Sequence, residues 1–376
     1  MIPFNKPYLT GQEINKITEA YELGQMAGDG HFSSLCSNWL EKNTGAQRAL
    51  LTHSCTAALE MAAILLDISP GDEIIMPSYT FVSSANAFVL RGGIPVFVDI
   101  REDTFNIDET LIEAAITPMT KAILPVHYAG VACEMDVIMS IAKKYNLFVV
   151  EDAAQGIMSQ YKGQPLGSIG DLGCLSFHET KNIISGEGGA LLINNISFIE
   201  RAEIIRAKGT NRAQFFRGEV DKYSWQDIGS SFLPGETVAA FLFAQLQDAD
   251  HITEKRLKTW NQFNEFFSGN KDINFFSIPV IPENCKGNGH IYYLVMDDKA
   301  AREHFINYMK KKNIHCIFHY IPLHNSDAGK KYGRISGAMK VTEDMASRIV
   351  RLPLWIGVSV EEITEAVSSW EKIYSQ

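Results

Sequence analysis

The stretch that decides the fold reads AILPVHYAGVACEMDVIMSIAKKYNLFVVED over residues 122–152. Two short apolar runs within it, Ala122–His127 and Leu147–Asp152, have the length and composition of buried strands. Between them, Met135–Tyr145 carries the spaced apolar residues of a helix with one buried face. A strand, a helix and a second strand in this order make one β-α-β unit, which predicts two parallel strands.

The same alternation continues through the N-terminal part of the chain. Further strands are predicted at Glu73–Met76 and Ile94–Asp99, and further helices at Thr56–Leu66, Phe81–Leu90 and Glu109–Ala115. We therefore predict an α/β fold with a mostly parallel central sheet and helices on both faces. An opening helix is predicted after a capping box at Thr10–Glu13, with Ile14, Ile17 and Tyr21 on its buried face.

The pattern changes after about residue 250. Helical patterns at Val238–Asp250 and Ile252–Phe267 lead to a strand at Ile291–Met296 and a helix at Ala300–Lys312. We interpret residues 1–250 as a large domain and residues 251–376 as a smaller C-terminal α/β domain. The segment Asp327–Lys340 is rich in Gly and Lys, and we predict a mobile loop there.

The composition excludes several classes of protein and site. A net charge of −10 argues against a nucleic-acid partner, and no apolar run is long enough to span a membrane. The six cysteines are scattered and no signal peptide is recognisable, so we expect a cytoplasmic protein. We expect no metal, because His315, His319 and His324 lie on an extended segment interrupted by proline.

Two polar residues follow strands whose carboxyl ends share one edge of the predicted sheet, where ligands bind in such folds. Asp152 ends one strand, and Lys181 comes shortly after the strand Gly173–His178. Alone, each has an ordinary explanation, because most aspartates here cap helices and most lysines are solvated. Together they match the needs of pyridoxal phosphate (PLP): a lysine that forms an imine and a carboxylate that keeps the pyridine nitrogen protonated.

A phosphate seat and a stacking surface are also available. The run Ser54–Leu59 opens a helix directly after a strand at Ala49–Thr52, so backbone N–H groups and the helix dipole can hold an anion. Ser176 could add a hydroxyl donor from the same edge of the sheet. Phe81 follows a strand end and could stack on the cofactor ring, although most aromatic residues simply belong to a core.

In these features the chain resembles the DegT/DnrJ/EryC1/StrS family of sugar aminotransferases over nearly its whole length. The matching segments are Ile2–Asn5, Ser54–Leu59, Pro77–Val82, Pro95–Asp99, Glu151–Gln155, Ser176–Lys181 and Gly186–Gly189. The resemblance implies the PLP-dependent aspartate-aminotransferase fold (type I) and PLP as cofactor. It favours transamination, because related sugar dehydratases carry His where Lys181 stands.

The resemblance also implies a role for each matching position. Lys181 would form the imine, Asp152 would pair with the pyridine nitrogen, and Gln155 would contact the ring hydroxyl. Phosphate contacts would come from Thr56, Ala57 and Ser176, and Phe81 would stack on the ring. Many members complete the phosphate site with an Asn of the partner subunit; here Ser231 stands at that position. A homodimer with shared active sites is therefore expected.

Some segments resemble particular members more than the family at large, namely Phe177–Asn182, Lys208–Arg212, Asp227–Ser231 and Phe318–His324. Those members move the amino group of L-glutamate to C4 of dTDP-4-keto-6-deoxy-D-glucose, giving dTDP-4-amino-4,6-dideoxy-D-galactose for surface polysaccharide. The gluco epimer and a 3-amino sugar stay open as alternative products. Candidate substrate-lining residues are His178, His319, Tyr320 and His324.

Two other functions were weighed against transamination. The glycines of Gly167–Gly173 suggest a dinucleotide-binding oxidoreductase, but their spacing is G-x-x-G-x-x-G and no clear helix follows. A regulator that holds PLP without turnover is the second alternative. Conversion of a visible PLP band by L-glutamate would exclude both.

Overall fold

The computed structural model describes residues 1–269 and 275–375. Its helices are α1 (Glu13–Glu22), α2 (His31–Thr44), α3 (Cys55–Leu65), α4 (Val82–Val89), α5 (Glu109–Ala115), α6 (Met135–Tyr145), α7 (Ile199–Arg206), α8 (Arg212–Phe216), α9 (Glu236–Gln247), α10 (Ala249–Gly269), α11 (Lys299–Lys311), α12 (Asp327–Tyr332), α13 (Lys340–Arg348) and α14 (Val360–Tyr374). Its strands are β1 (Arg48–Thr52), β2 (Glu73–Pro77), β3 (Ile94–Val98), β4 (Thr120–Ile123), β5 (Phe148–Asp152), β6 (Gln160–Tyr161), β7 (Gln164–Pro165), β8 (Leu172–Ser176), β9 (Gly189–Ile193), β10 (Phe276–Ser277), β11 (Cys285–Lys286), β12 (Tyr292–Met296), β13 (Arg334–Ile335) and β14 (Ile349–Leu352).

An eight-stranded central sheet organises the molecule, with the order β1-β9-β8-β5-β4-β2-β3-β13. The pairs from β8 through β5, β4, β2 and β3 to β13 are all parallel. Only β9 runs against its neighbours β1 and β8 within this sheet. The predicted α/β fold with a mostly parallel sheet is confirmed, and the predicted bounds of α5 and α6 match the observed ones.

The two faces of the sheet bury separate apolar clusters. Neighbouring residues along each strand point to opposite faces, so Ile75 and Val149 belong to one cluster and Ile74 and Val150 to the other. Helices cover both faces, which explains why the strands read as unbroken apolar runs. Within the described residues, no helix combines the length and apolar character that a membrane span requires.

The C-terminal part of the chain builds its own core. Strands β10, β12 and β14 form a three-stranded antiparallel sheet. Large buried side chains from α10, α11 and α14, including Phe263, Phe305 and Trp370, surround it. This part also pairs with strands of the N-terminal part, because β11 pairs with β6 and β13 pairs with β3 of the central sheet. The boundary at residue 250 stays a prediction.

The mobile loop predicted at Asp327–Lys340 is wrong. This segment contains α12 and β13, and β13 forms the edge of the central sheet beside β3. The guanidinium of Arg334 donates to both carboxylate oxygens of Glu73 at 2.6 and 2.7 Å. A Gly- and Lys-rich composition reflects only the local conformational preference of the backbone. The strand that β13 pairs with, β3, lies more than two hundred residues earlier in the sequence.

The opening helix is present, but only part of its predicted buried face is correct, because Ile17 packs against the core whereas Ile14 and Tyr21 do not. Ile14 and Tyr21 are 71% and 74% exposed in the single chain. The helix instead buries Glu13 and Ala20 where α1 packs against α9. The Glu13 carboxylate accepts the N–H of Thr10 at 2.7 Å, so half of the expected capping box forms.

The glycine run at residues 167–173 folds around a carboxylate of the chain itself. Glu151, fully buried on β5, accepts the N–H groups of Gly167, Ile169 and Gly170 at 2.8, 2.7 and 2.6 Å. It also contacts His127 Nε2 at 2.9 Å. A side chain on Gly173 would collide with the backbone of Gly167, which explains the need for glycine there. These amides are therefore engaged by Glu151, which argues against a dinucleotide phosphate at this position.

Replacing Glu151 by Leu should destabilise the protein strongly. The change fills the space with an apolar side chain but leaves three N–H groups, two of them fully buried, without an acceptor. The free energy of unfolding should therefore fall by about 3 kcal/mol or more. Urea denaturation at one fixed protein concentration measures this. The control is Glu303→Leu, since Glu303 is exposed on α11. Equal midpoints for the two variants would contradict the assignment.

Candidate active site

A pocket of about 710 Å³ opens at the carboxyl ends of β5 and β8. Its walls come from the N-terminal segment, the starts of α3 and α4, the loop between β8 and β9, and C-terminal residues near β12 and β14. A larger cleft of about 940 Å³ lies beside α10 but contains none of the predicted site residues. The chemistry predicted from the sequence therefore points to the smaller pocket.

The pocket brings together most of the predicted residues: Thr56, Phe81, Asp152, Gln155, Ser176, His178, Lys181, His319 and Tyr320. Three others do not line it. Ala57 is buried inside α3, and Ser231 is exposed outside the pocket. His324 is buried where its ring contacts the Ser78 hydroxyl at 2.6 Å and Glu343 at 3.3 Å.

Lys181 lies in the loop that connects β8 to the antiparallel strand β9. Its backbone N–H bonds the carbonyl of His178 at 2.9 Å. Across residues 1–269 and 275–375, its ammonium group makes no hydrogen bond and no ion pair. Burial lowers the pKa of Lys181, and the nearby Cys55 and Asp152 oppose this only in part. A lowered pKa increases the fraction of free amine, which is the nucleophilic form.

Asp152 is the last residue of β5 and is held by two short contacts. Its Oδ2 accepts the hydroxyl of Ser84 at 2.7 Å, and its Oδ1 accepts the N–H of Ala154 at 3.1 Å. Ser84 in turn shares a 2.7 Å hydrogen bond with Thr80. These contacts fix the carboxylate at the pocket wall. Ser84 and Thr80 could not be recognised as site residues from the sequence, because serine and threonine near a helix start look like ordinary capping residues.

Gln155 and Tyr320 form a second fixed group. The Gln155 carbonyl accepts the N–H of Ala129 at 2.7 Å, and its amide donates to the Tyr320 hydroxyl at 2.9 Å. The Tyr320 ring stacks on His319 with 3.7 Å between centroids. Burial raises the pKa of Tyr320 above its ordinary range, so this hydroxyl stays protonated. Gln155 thus connects the central sheet to the His319–Tyr320 pair.

The start of α3, where an anion seat is predicted, lines the pocket through Ser54, Cys55 and Thr56. Ser54 caps the helix by accepting the N–H of Ala57 at 3.1 Å, and the Thr56 hydroxyl contacts Ser83 at 2.7 Å. Gly189 passes so close that a Cβ there would lie 2.4 Å from the backbone of Ser54. The Ala57 amide is thus already engaged, and its predicted phosphate contact stays a prediction.

These groups fit PLP by their chemistry. A lysine with a lowered pKa, an anchored carboxylate and a helix N-terminus with the Thr56 hydroxyl meet around one pocket. Phe81 stands at the N-terminus of α4, 57% exposed, with its ring centroid 6.4 Å from that of Tyr320. An exposed ring on a pocket wall is available for stacking.

Three pocket residues from the C-terminal part were not predicted from the sequence, namely Arg256, His290 and Arg351. Arg256 donates to the backbone carbonyls of Gly289 and His290 at 3.1 and 2.7 Å. Arg351 lies 4.7 Å from the Phe4 ring centroid. Neither guanidinium forms an ion pair with a carboxylate in the described parts of the chain. No sequence pattern linked these positions, because each reaches the pocket from a different element.

The described residues also contain no group of three or more His, Cys, Asp or Glu side chains arranged to hold a metal ion. His319 and His324 have other partners, since His319 Nδ1 contacts the Tyr128 hydroxyl at 2.7 Å.

Comparison with known proteins agrees with this geometry. Residues 7–371 match the DegT/DnrJ/EryC1/StrS aminotransferase family. Spore coat polysaccharide biosynthesis protein SpsC of Bacillus subtilis is 31% identical, over 98% of this chain and 96% of that protein. GDP-perosamine synthase of Escherichia coli O157:H7 is 31% identical, over 100% of this chain and 99% of that protein.

A solved structure of similar architecture is the putative sugar aminotransferase Spr1654 from Streptococcus pneumoniae, described in PMP and PLP forms. Its PMP form has a TM-score of 0.89 and 26% identity, covering 100% of this chain and 98% of that one. The predicted fold, cofactor and enzyme class are thereby confirmed. The chain belongs to the DegT/DnrJ/EryC1/StrS family of sugar aminotransferases, and it is a PLP-dependent aminotransferase.

Proposed function

We propose that this enzyme transfers the amino group of L-glutamate to C4 of dTDP-4-keto-6-deoxy-D-glucose, giving dTDP-4-amino-4,6-dideoxy-D-galactose for surface polysaccharide. The observation that carries the proposal is the pocket that holds both Lys181 and Asp152. The names of the relatives, a polysaccharide biosynthesis protein and a GDP-sugar synthase, support a nucleotide-sugar substrate. The choice of dTDP and of the galacto product rests on the resemblance of Phe177–Asn182 and Phe318–His324.

Lys181 has two tasks in this proposal. When bound, PLP supplies an aldehyde that accepts amines and a ring that takes up electrons. Lys181 would hold that aldehyde, and after displacement by the amino donor its free amine would take the proton from the donor Cα and pass it on to the cofactor. In the second half-reaction, in which the sugar receives the amino group, the same amine would deliver a proton to C4 of the sugar. Its lowered pKa suits both directions, because the group changes protonation at modest cost.

The other predicted residues place the reacting groups. Asp152, held by Ser84 and Ala154, would face the pyridine nitrogen. Thr56, Ala57 and Ser176 would hold the phosphate at the start of α3, and Gln155 and Phe81 would contact the ring. His178, His319 and Tyr320 line the same space and would contact substrate. His324 does not line the pocket but forms a hydrogen bond with the Ser78 hydroxyl. We therefore assign it a structural role.

The charges in the pocket support an anionic donor. Arg256 and Arg351 have no acidic partner in the described parts of the chain, and both line the pocket together with Lys181. Arg256 is buried and Arg351 is half-buried, and a desolvated guanidinium without a nearby negative charge is costly unless a ligand supplies that charge. L-Glutamate, with two carboxylates, supplies it. This observation supports the dicarboxylate donor that the resemblance implies.

We further propose a homodimer with shared active sites, working in the cytoplasm. Ser231 lies in the exposed segment 229–231, outside the pocket of its own chain. Ile14, Tyr21 and Trp225 are large apolar side chains that expose 71%, 74% and 81% of their surface in the single chain. A second copy covering these surfaces would explain both observations. All six cysteines are free thiols, as a reducing compartment favours.

Replacing Lys181 by Ala or Arg should abolish transamination. The loss removes both the imine and the proton carrier, so turnover should fall by about a thousandfold or more. Formation of 2-oxoglutarate from L-glutamate measures it, and borohydride reduction followed by peptide mass mapping should place the reduced cofactor on Lys181. Lys143→Ala, on the far end of α6, is the control. Cofactor trapped on another lysine would overturn the assignment.

The proposed product can be identified directly. With L-glutamate and dTDP-4-keto-6-deoxy-D-glucose, the enzyme should release a dTDP-sugar amine whose proton couplings reveal the configuration at C4. A small H3–H4 coupling indicates the galacto product, and a large one the gluco epimer. The matching GDP- and UDP-keto sugars test the nucleobase, and a 3-keto substrate tests the alternative amination site. Faster turnover of any of these would replace the proposed substrate.

Hybrid dimers can test the shared site. Ser231→Glu should lose activity, because a carboxylate beside the phosphate repels it. Co-expression with a differently tagged Lys181→Ala chain should restore about a quarter of wild-type activity in the unseparated mixture. About half of the dimers are then hybrids, and each hybrid holds one intact site out of two. If Ser231 served its own chain, no hybrid site would be intact. An inactive hybrid, or a fully active Ser231→Glu homodimer, would refute the shared site.

A further inference from the structure

His290 lies just before β12 and forms part of the pocket wall that the C-terminal region contributes. It is only 7% exposed. Its Nδ1 lies 2.9 Å from Oδ1 of Asn182, the residue that follows Lys181 in sequence. A direct polar contact therefore joins the Lys181 loop to the C-terminal region at the edge of the reaction site.

The orientation of the Asn182 amide determines which ring nitrogen of His290 carries the proton. Asn182 Nδ2 donates to the backbone carbonyl of Asn288 at 2.9 Å, so Oδ1 must be the atom that faces the ring. An amide oxygen only accepts, so His290 Nδ1 must carry a hydrogen. In a neutral imidazole Nε2 then has a free lone pair. Within the described residues Nε2 has no hydrogen-bond partner.

The surrounding charges keep this ring neutral. Burial lowers the pKa of His290 well below its ordinary value, and Lys181, Arg256 and Arg351 lower it further. His319, the other histidine close by, is also shifted toward the neutral form by burial. No carboxylate in the described parts of the chain forms an ion pair with His290. His290 Nε2 is therefore a neutral acceptor on the part of the pocket wall that also carries Arg256 and Arg351.

We propose that His290 is a specificity-determining residue whose Nε2 accepts a hydrogen bond from a hydroxyl of the sugar that receives the amino group, with Asn182 as its positioning residue. The carboxylates of a dicarboxylate donor cannot make this bond because they carry no hydrogen, and the donor's amino group is committed to the reaction at the cofactor aldehyde. Sugar hydroxyls donate readily. In this proposal the cations bind the carboxylates of the amino donor, and His290 binds a hydroxyl of the sugar that receives the amino group. This inference rests on the proposed sugar substrate.

The two half-reactions separate these contributions. His290→Phe should raise KM for the keto sugar about tenfold or more, because the buried hydroxyl loses its acceptor. The rate at which L-glutamate forms 2-oxoglutarate in a single turnover should change less than twofold. His290→Gln, which can present an amide oxygen near the position of Nε2, should restore most of the loss. His304→Gln is the control, since His304 contacts Trp370 on the far side of the C-terminal core.

A binding measurement gives a readout that does not depend on turnover. Calorimetry should show that wild type binds the dTDP-sugar more tightly than dTDP alone. His290→Phe should lose most of that difference while binding dTDP unchanged. Equal loss for dTDP would indicate a structural role for His290 and overturn the inference, as would an unchanged KM. If wild type turns over no keto sugar at all, the proposed function fails instead.

Asn182→Asp provides a second test that keeps the ring in place. A carboxylate beside Nδ1 favours the charged imidazolium and raises the pKa of His290 toward the working range. Below the new pKa, Nε2 carries a proton and can no longer accept, so KM for the sugar should rise as the pH falls. Wild-type KM should stay flat from about pH 6 to 8, since its ring is neutral throughout. A variant KM that is equally flat would contradict the positioning role.

Discussion

The parallel pairing of β5 with β8 is the constraint on which the site depends. Its register sets Asp152 opposite Cys174, two residues before β8 ends. The chain then turns back into β9 rather than crossing over the sheet, and an antiparallel neighbour needs only a short connection. Lys181 lies in that connection, so it stays at the edge where Asp152 ends. Glu151, the residue before Asp152, accepts hydrogen bonds from backbone amides of the 167–170 turn. These bonds fix the segment that leads into β8.

The C-terminal region contributes a different chemistry. The central sheet positions Asp152 and Lys181, the pair proposed to serve the cofactor, whereas α10 and β14 supply Arg256 and Arg351, which form no ion pair with a carboxylate within residues 1–269 and 275–375. In the proposed reaction, this division would let one pocket accept two unlike substrates in turn. An anionic amino donor matches the guanidiniums, and a hydroxyl-rich acceptor matches the neutral His290. The N-terminal segment completes the wall, because Phe4 packs against Arg351.

Local sequence patterns predicted the parts of this structure that depend on local physics. The β-α-β alternation, the bounds of α5 and α6, and the placement of Asp152 and Lys181 at strand ends all follow from apolar spacing and turn residues. The family resemblance then supplied roles that spacing alone left open. The errors concern partners distant in sequence. Ile14 was expected to face a core, yet α1 turns Glu13 and Ala20 toward α9. Arg256, His290 and Arg351 were missed because only the folded chain brings them to one wall.

The edge strand β13 has a consequence for how the chain reaches this state. Its partner β3 is made some 240 residues earlier, and their register pairs Arg334 with Val96. During synthesis the flank of β3 therefore stays bare until almost the entire polypeptide has left the ribosome. Pairings over such separations form late, because the entropy of closing so long a loop must be overcome first. The incomplete sheet therefore has an unpaired edge strand, β3, which could pair wrongly with another chain. Pairing of β13, the strand that contains Arg334, covers this edge.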